Sequence, residues 1–395
     1  MREGWVETTL DELVVTGVVS LGRGNVISKR DMDADPGPYP VYSSAQNNDG
    51  RIGSYNKFMF DEELITWSVD GGGYVFYRPH HKFSVTNIGG YLRILDSTKF
   101  LYPFLAAVLQ KLHSQHVFDW QNKAHPSVIR NLYNNIPLAT LDEQKRIIDL
   151  VSSVDSYIES LQSQVDSART ARNAVLHELL SAGGDDWTET NLGEVSEVIM
   201  GRQLSPSKKM GTRPRPYLRA ANIGNWGISI DDVLEMDFTE EEETHFACRK
   251  GDVLLVEGGN EKSVGCPALV SDRELGLCIQ NTIIRCRIKD ENQLRPDFLY
   301  HSLRHSFWNG KFGELCAGTT IMHLGQKRAV VFPIQIPPLD EQKRIVQIVS
   351  SMDDVIHAAE QAVLHAKNVR SGLLSDLLSG KHEIPSSYDK FLKAA

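Results

Sequence analysis

The seven residues Leu-Asp-Glu-Gln-Lys-Arg-Ile occur twice in this chain of 395 residues, at 141–147 and again at 339–345, 198 positions apart. Without gaps, 141–181 aligns with 339–379 at 19 identities in 41, Val151-Ser152-Ser153 matching Val349-Ser350-Ser351 and Leu179-Leu180-Ser181 matching Leu377-Leu378-Ser379. Apolar residues of the first copy fall at Ile147, Val151, Val154, Ile158, Leu161, Val165, Ala168, Val175 and Leu179. Alternating steps of four and three are the spacing of a coiled-coil seam. Ile345, Val349, Met352, Ile356, Ala359, Val363, Ala366, Leu373 and Leu377 repeat it, and one arginine, Arg172 or Arg370, interrupts each seam. The two helices are therefore expected to pair with each other. Each follows a proline-containing segment, Ile136-Pro137 or Ile336-Pro337-Pro338. Asp142 and Asp340 stand where they can cap the first turn, and Gly183 and Gly380 lie near the far ends. About 40 residues make a rod of roughly 60 Å.

The rest of the chain repeats more faintly. Trp5-Val6-Glu7-Thr8 with Leu10 and Glu12 returns as Trp187-Thr188-Glu189-Thr190 with Leu192 and Glu194. Short β-rich runs, Glu63–Trp67 and Asp252–Val256, each lead into a glycine-rich loop. Leu92–Asp96 and Cys286–Asp290 occupy matching places, each soon followed by a short helix starting at Pro103 or Pro296. The expected class is α+β: two similar β-rich, mixed α/β globules, joined and spaced by two long helices in an antiparallel coiled coil. The expected bounds are 1–140 and 183–338 for the globules, 141–182 and 339–380 for the helices, and 381–395 for a tail. Two equivalent rods would hold two globules at a set distance, the way proteins address two half-sites on a duplex.

A chain of this length exceeds a single core, which agrees with that plan. No apolar run approaches the ~20 residues needed to span a bilayer, so no membrane association is expected. Met1–Trp5 lacks the apolar core of a secretory signal, and a cytoplasmic protein is expected. The five cysteines, Cys248, Cys266, Cys278, Cys286 and Cys316, include no Cys-x-x-Cys pair, which points to free thiols rather than zinc ligands or disulfides.

Catalytic signatures are missing. Gly71-Gly72-Gly73 lacks the further spaced glycine and following helix of a nucleotide loop, and Gly265-Cys266-Pro267 reverses the order of a cytosine-methylating Pro-Cys turn. Glu257-Gly258-Gly259-Asn260-Glu261-Lys262 has a glutamate and a lysine misspaced for a metal-dependent nuclease. No Walker-type phosphate loop occurs. His80-His81, His113 and His116 are among thirteen scattered histidines, a distribution more typical of exposed polar positions than of a metal site, and the His113 and His116 pair lacks a carboxylate at ligand spacing. A non-catalytic binding protein without metal or cofactor of its own is the expectation.

The formal net charge of −9 is unfavourable for a nucleic-acid partner, but it is unevenly spread. Between 202 and 219 stand Arg202, Lys208, Lys209, Arg213, Arg215 and Arg219 with no acid, a candidate phosphate-binding patch. From 231 to 243 there are eight acids and no base. Base edges are read by arginine, lysine, asparagine and glutamine, which nominates Gln46, Asn47, Asn48 and Arg51. Asp70, Gly71, Gly72, Gly73 and Tyr74 form a second candidate loop, since glycine admits close backbone approach. Glu257, Gly258, Gly259, Asn260 and Lys262 form its counterpart in the second half.

The doubled Leu-Asp-Glu-Gln-Lys-Arg-Ile openings, the Ile-Pro segments before them and the Trp-x-Glu-Thr-x-Leu-x-Glu start of each half resemble the DNA specificity subunit of Type I restriction-modification systems, over essentially the whole chain. The resemblance implies two target recognition domains, each reading half of a split site on double-stranded DNA, and conserved helices that set the spacer and dock methyltransferase subunits. It makes Gly251–Leu254 similar to the strand before a recognition loop. It also places Gly318–Leu324, with Thr319, Thr320 and His323, beside DNA. The first half offers only 122–127 there, with Lys123 and His125. Two methyltransferase subunits would use S-adenosylmethionine, and two restriction/translocase subunits ATP and magnesium. The rival reading is a non-enzymatic scaffold or adaptor with two binding globules on a coiled-coil ruler.

Overall fold

The computed structural model describes residues 5–44, 48–70, 74–119, 121–204, 212–224, 227–316 and 322–392. The chain divides into two units, Met1–Gln162 with Gln361–Ala395, and Ser163–Glu360. Both dividing points fall within a long helix, so each unit contains the start of one long helix and the end of the other.

In the first unit six strands, β1 (Val19–Arg23), β2 (Tyr39–Tyr42), β3 (Arg51–Tyr55), β4 (Phe60–Ser68), β5 (Val75–Val85) and β6 (Gly89–Ile94), form one sheet in the order β1-β6-β4-β5-β2-β3. All neighbours are antiparallel except β2 and β5. β4 is central, and its continuous buried run Leu64–Ser68 reflects a strand covered on both faces. Helix α1 (Tyr102–His113) begins with a proline in its first turn and buries Phe104, Leu105, Val108 and Leu109 in the same core as Ile65 and Leu92.

The second unit repeats the centre of this plan. Strands β7 (Ser196–Met200), β8 (Val253–Val256), β9 (Pro267–Leu269) and β10 (Ile283–Ile288) form an antiparallel sheet in the order β7-β10-β8-β9. Helix α3 (Pro296–Trp308) buries Phe298, Leu299 and Leu303 in its core. A second sheet, Leu234–Asp237, Pro214–Leu218 and Cys278–Ile279, repeats the pairing of β3, β2 and the end of β5: its middle strand is antiparallel to the first and parallel to the last.

The repeated opening of each half closes its unit. Val6–Thr8 pairs antiparallel with Ile136–Leu138, and Thr188–Asn191 with Pro333–Ile336, so each half's first strand bonds to the Ile-Pro segment leading into a long helix. Thr8 Oγ1 donates to Glu12 at 2.7 Å and Thr190 Oγ1 to Glu194 at 2.9 Å, which accounts for the shared threonine and glutamate.

The long helices are α2 (Leu141–Ser181) and α4 (Leu339–Leu378). Asp142 does not cap α2. Thr140 does, in a reciprocal box with Glu143, because only a residue outside the first turn can turn its side chain back onto the orphan N–H groups. Asp142 stays in the first turn, where a negative charge complements the helix dipole. At α4 the equivalent place is Pro338, which has no capping side chain, and Asp340 likewise lies in the first turn. Gly183 (φ +59°) and Gly380 (φ +68°) follow the two helices in the left-handed conformation that glycine adopts without strain.

The seam residues bury as the heptad spacing anticipates. In the first unit Ile147, Val151, Ile158 and Val363 are buried and Val154 and Leu161 half-buried; Ile147 and Val151 share a cluster with Leu377 and Leu378. In the second unit Val165, Ile345, Val349 and Ile356 are buried and Met352 half-buried, with Leu176 beside Ile345 and Val349. The start of one helix meets the end of the other in each unit, so the segments pair antiparallel.

Candidate nucleic-acid interface

Each unit brings two candidate loops together beyond its central strand. In the first, Ala124 N–H donates to Val69 O at 2.9 Å, and the Trp67 indole N–H to Ala124 O at 2.8 Å. This puts Lys123 Nζ 2.9 Å from Asp70. In the second, Leu324 N–H donates to Glu257 O at 2.8 Å, Gly258 and Gly259 pair antiparallel with Met322 and His323, and His323 Nδ1 lies 3.1 Å from Glu257. The same construction thus recurs: an acid on the strand-end loop beside a basic side chain on the facing loop. At Gly258 a Cβ would stand 2.8 Å from the His323 ring, so any larger residue there would displace that side chain from its place beside Glu257.

Among the described residues, the solvent-facing candidates at these loops are Tyr74, Lys123, Asn260, Lys262 and His323. His125 instead caps the helix Pro126–Leu132 through Ser127. Asn260 closes a turn with Lys262 and Ser263. Gln46, Asn47, Gly71, Gly72, Gly73, Lys208, Lys209, Thr319 and Thr320 lie outside the described residues. Asn48 and Asp49 adopt left-handed backbone (φ +52° and +51°), tied from below by Arg78, which donates to Asp49 O at 2.6 Å. Arg78 stacks 3.7 Å from the Tyr42 ring centroid, and burial pushes its pKa down to about 10. Arg51 is exposed and bonds within its own strand.

The reading of 202–219 as an open phosphate patch needs correction for its described arginines. Arg202 is 5% exposed, 2.8 Å from Glu242 and 4.8 Å from the Phe238 ring centroid. Arg213 and Arg215 each lie 2.7 Å from Glu243, and Arg219 pairs with Asp232. Their hydrogen bonds, Arg215's first, hold the Glu243 carboxyl below its ordinary pKa. The basic and acidic runs fold onto each other because opposite charge brought together in the chain is satisfied locally, so these arginines are not bare cations awaiting phosphate.

Two features went unread in sequence. Gln144 and Gln342, the glutamines of the two repeated heptapeptides, are fully buried. Gln144 accepts from Leu101 N–H at 2.8 Å and donates to Lys99 O and Ala139 O; Gln342 accepts from Arg295 N–H at 2.8 Å and donates to Gln293 O and Pro337 O. The glutamine therefore bolts the long helix to the segment before the proline-led helix in both units. The seam arginines also find equivalent acids. Arg172 lies 2.8 Å from Asp353, and Arg370 bonds both oxygens of Asp155. These are one contact in sequence terms, displaced by 198 positions with the two helices exchanged.

No three His, Cys, Asp or Glu side chains among the described residues converge as a metal site, and no helix among them is long and apolar enough to cross a membrane. All five cysteines are free, and burial raises the pKa of each thiol.

Two linked copies of one α+β unit, each opening paired loops at its central strand, define a tandem recognition protein. The Type I restriction modification DNA specificity domain matches residues 2–166 and 184–366, and the chain belongs to that family. It is 23% identical over 380 residues to the Type I restriction enzyme MjaVIII specificity subunit of Methanocaldococcus jannaschii, covering 87% of this chain and 86% of that one. It is 31% identical over 165 residues to the MpnII specificity subunit of Mycoplasma pneumoniae, covering 38% of this chain and 49% of that one. With several Mycoplasma relatives the match thus spans about half their length. The fold resembles the solved Type I restriction-modification S subunit from M. genitalium, with TM-score 0.51, 17% identity, and 95% and 96% of the two chains covered.

Proposed function

We propose that this chain is the non-catalytic DNA-reading subunit of a Type I restriction-modification complex, working in the cytoplasm. Each unit reads one half of a bipartite target, and the helix pair sets the gap between the halves. The same helices dock two methyltransferase subunits, and two restriction/translocase subunits complete the assembly. S-adenosylmethionine, ATP and magnesium belong to those partners. The observation that carries the reading is the doubled loop pair: one backbone construction presents different side chains in the two units, Tyr74 and Lys123 in one, Lys262 and His323 in the other. A repeated scaffold with unlike loops suits two unlike half-sites.

The self-paired arginines bear on the strength of binding. A patch whose described arginines are held by its own acids contributes few released counterions when DNA binds, so the chain alone should bind duplex weakly, with a shallow dependence on salt. Joined to methyltransferase subunits, it should bind tightly and steeply. Duplex affinity measured across a salt series, with and without those subunits, tests the reading. An adaptor for peptides or glycans would give no salt-dependent duplex binding in either state.

A further inference from the structure

The first unit contains a groove of about 560 Å³ between α1 and the long-helix segments, bordered by Ala106, Ala107, Gln110 and Ser114 on one side and the Asp155–Arg370 pair on the other. The second unit shows what fills the equivalent space. The buried glutamines set the correspondence: Gln144 binds Lys99 O and Leu101 N, Gln342 binds Gln293 O and Arg295 N, an offset of 194 that also matches Phe104-Leu105 with Phe298-Leu299. At that offset Ala106, Ala107, Gln110 and Ser114 stand where the second unit has Tyr300, His301, Arg304 and Trp308.

Those larger side chains complete the ion pair in the second unit. Asp353 receives Arg172 at 2.8 Å and Arg304 at 3.2 Å, while the Trp308 ring centroid lies 4.1 Å from the Arg172 guanidinium and 4.5 Å from that of Arg304. The result is a sealed stack in which the Arg172 side chain is 1% and that of Asp353 20% exposed. In the first unit the small residues leave the same pair open, with Arg370 34% and Asp155 40% exposed. A carboxylate offers about four acceptor positions, and Asp353 demonstrates that this one can take a second guanidinium.

We propose that this groove is a docking site for a partner protein's helix carrying an arginine and a tryptophan one turn apart, the arginine reaching Asp155 and the indole covering Arg370. Arginine and tryptophan are the side chains that most often anchor interfaces in such pockets, and a ring over a part-buried guanidinium adds cation–π attraction. Because the second unit supplies these groups from its own α3, one partner segment binds per chain. The site makes the two ends of a nearly repeated molecule unequal.

The test uses the full chain and a labelled, alanine-rich helical peptide of about 15 residues, long enough to populate helix, with one arginine and one tryptophan four residues apart. Fluorescence anisotropy should show saturable binding at one peptide per chain. Filling the groove with Ala106→Tyr, Gln110→Arg and Ser114→Trp should weaken it at least about tenfold. Asp155→Asn should weaken the arginine peptide but not a control with glutamine in place of arginine. Should the triple variant fail to fold, as read by circular dichroism, Ser114→Trp alone serves. Absence of saturable binding, or equal affinity for wild-type and filled chains, would overturn the proposal.

Discussion

A single side chain explains most of why the heptapeptide is repeated. Gln144 and Gln342 each satisfy one backbone N–H and two carbonyls from segments far apart in sequence. Their replacement strands buried polar groups, each costing about 1–3 kcal/mol. Gln144→Ala should therefore destabilise the first unit by on the order of 3 kcal/mol, and Gln342→Ala the second similarly, read as shifts in urea midpoints. A change typical of an exposed site would contradict the assignment. The glutamine could be seen in sequence but not its work, since two of its three partners lie 43–49 residues upstream and no local periodicity marks them. The charge runs at 202–219 and 231–243 were equally visible; that they satisfy each other depends on the pairing of Pro214–Leu218 with Leu234–Asp237. Histidine supplies a pH effect. Burial pushes His301 down from 6.5 to about 4, so the folded protein refuses a proton that the unfolded chain accepts. The stability from the neutral ring is complete above pH 6.5 and is lost as pH falls toward 4. Urea midpoints at several pH values should show this loss in the wild type and a smaller one in His301→Gln.

The helix pair was the most legible element, because seven-residue spacing directly fixes which residues are buried. The two arginines showed in sequence as interruptions of the seam. Their partners did not, because Asp155 and Asp353 become partners only once the antiparallel register is known. The two ion pairs predict an asymmetry. Asp353→Ala leaves Arg172 and Arg304 buried without their shared carboxylate, and should cost about 3–5 kcal/mol. Asp155→Ala removes the partner of a part-exposed arginine, and should cost below about 1 kcal/mol. Thermal unfolding of the two variants would decide, and equal losses would contradict the burial argument. The same asymmetry in covering residues leaves the groove open in the first unit, whereas Arg304 and Trp308 fill its equivalent in the second. It was hidden in sequence because Pro103 and Pro296 align α1 and α3 at an offset of 193, whereas the buried glutamines fix it at 194.

Across the whole molecule, the repeat revealed two recognition bodies and two long helices, but the compact units divide within the helices rather than at the ends of the globules. That division follows from antiparallel pairing, which returns the end of the second helix to the unit that began the first. If the helices set the gap, lengthening both by about one turn, roughly 5 Å, should change the preferred spacing of half-sites by one or two base pairs. An unchanged spacing would count against the ruler. The most direct measurement replaces residues 1–140 with those of a different family member, expresses the hybrid with its methyltransferase subunits, and sequences the methylated genome. One half of the recognised sequence should change while the other half and the gap stay as they were; a target altered in both halves would contradict the claim that the two units read independently.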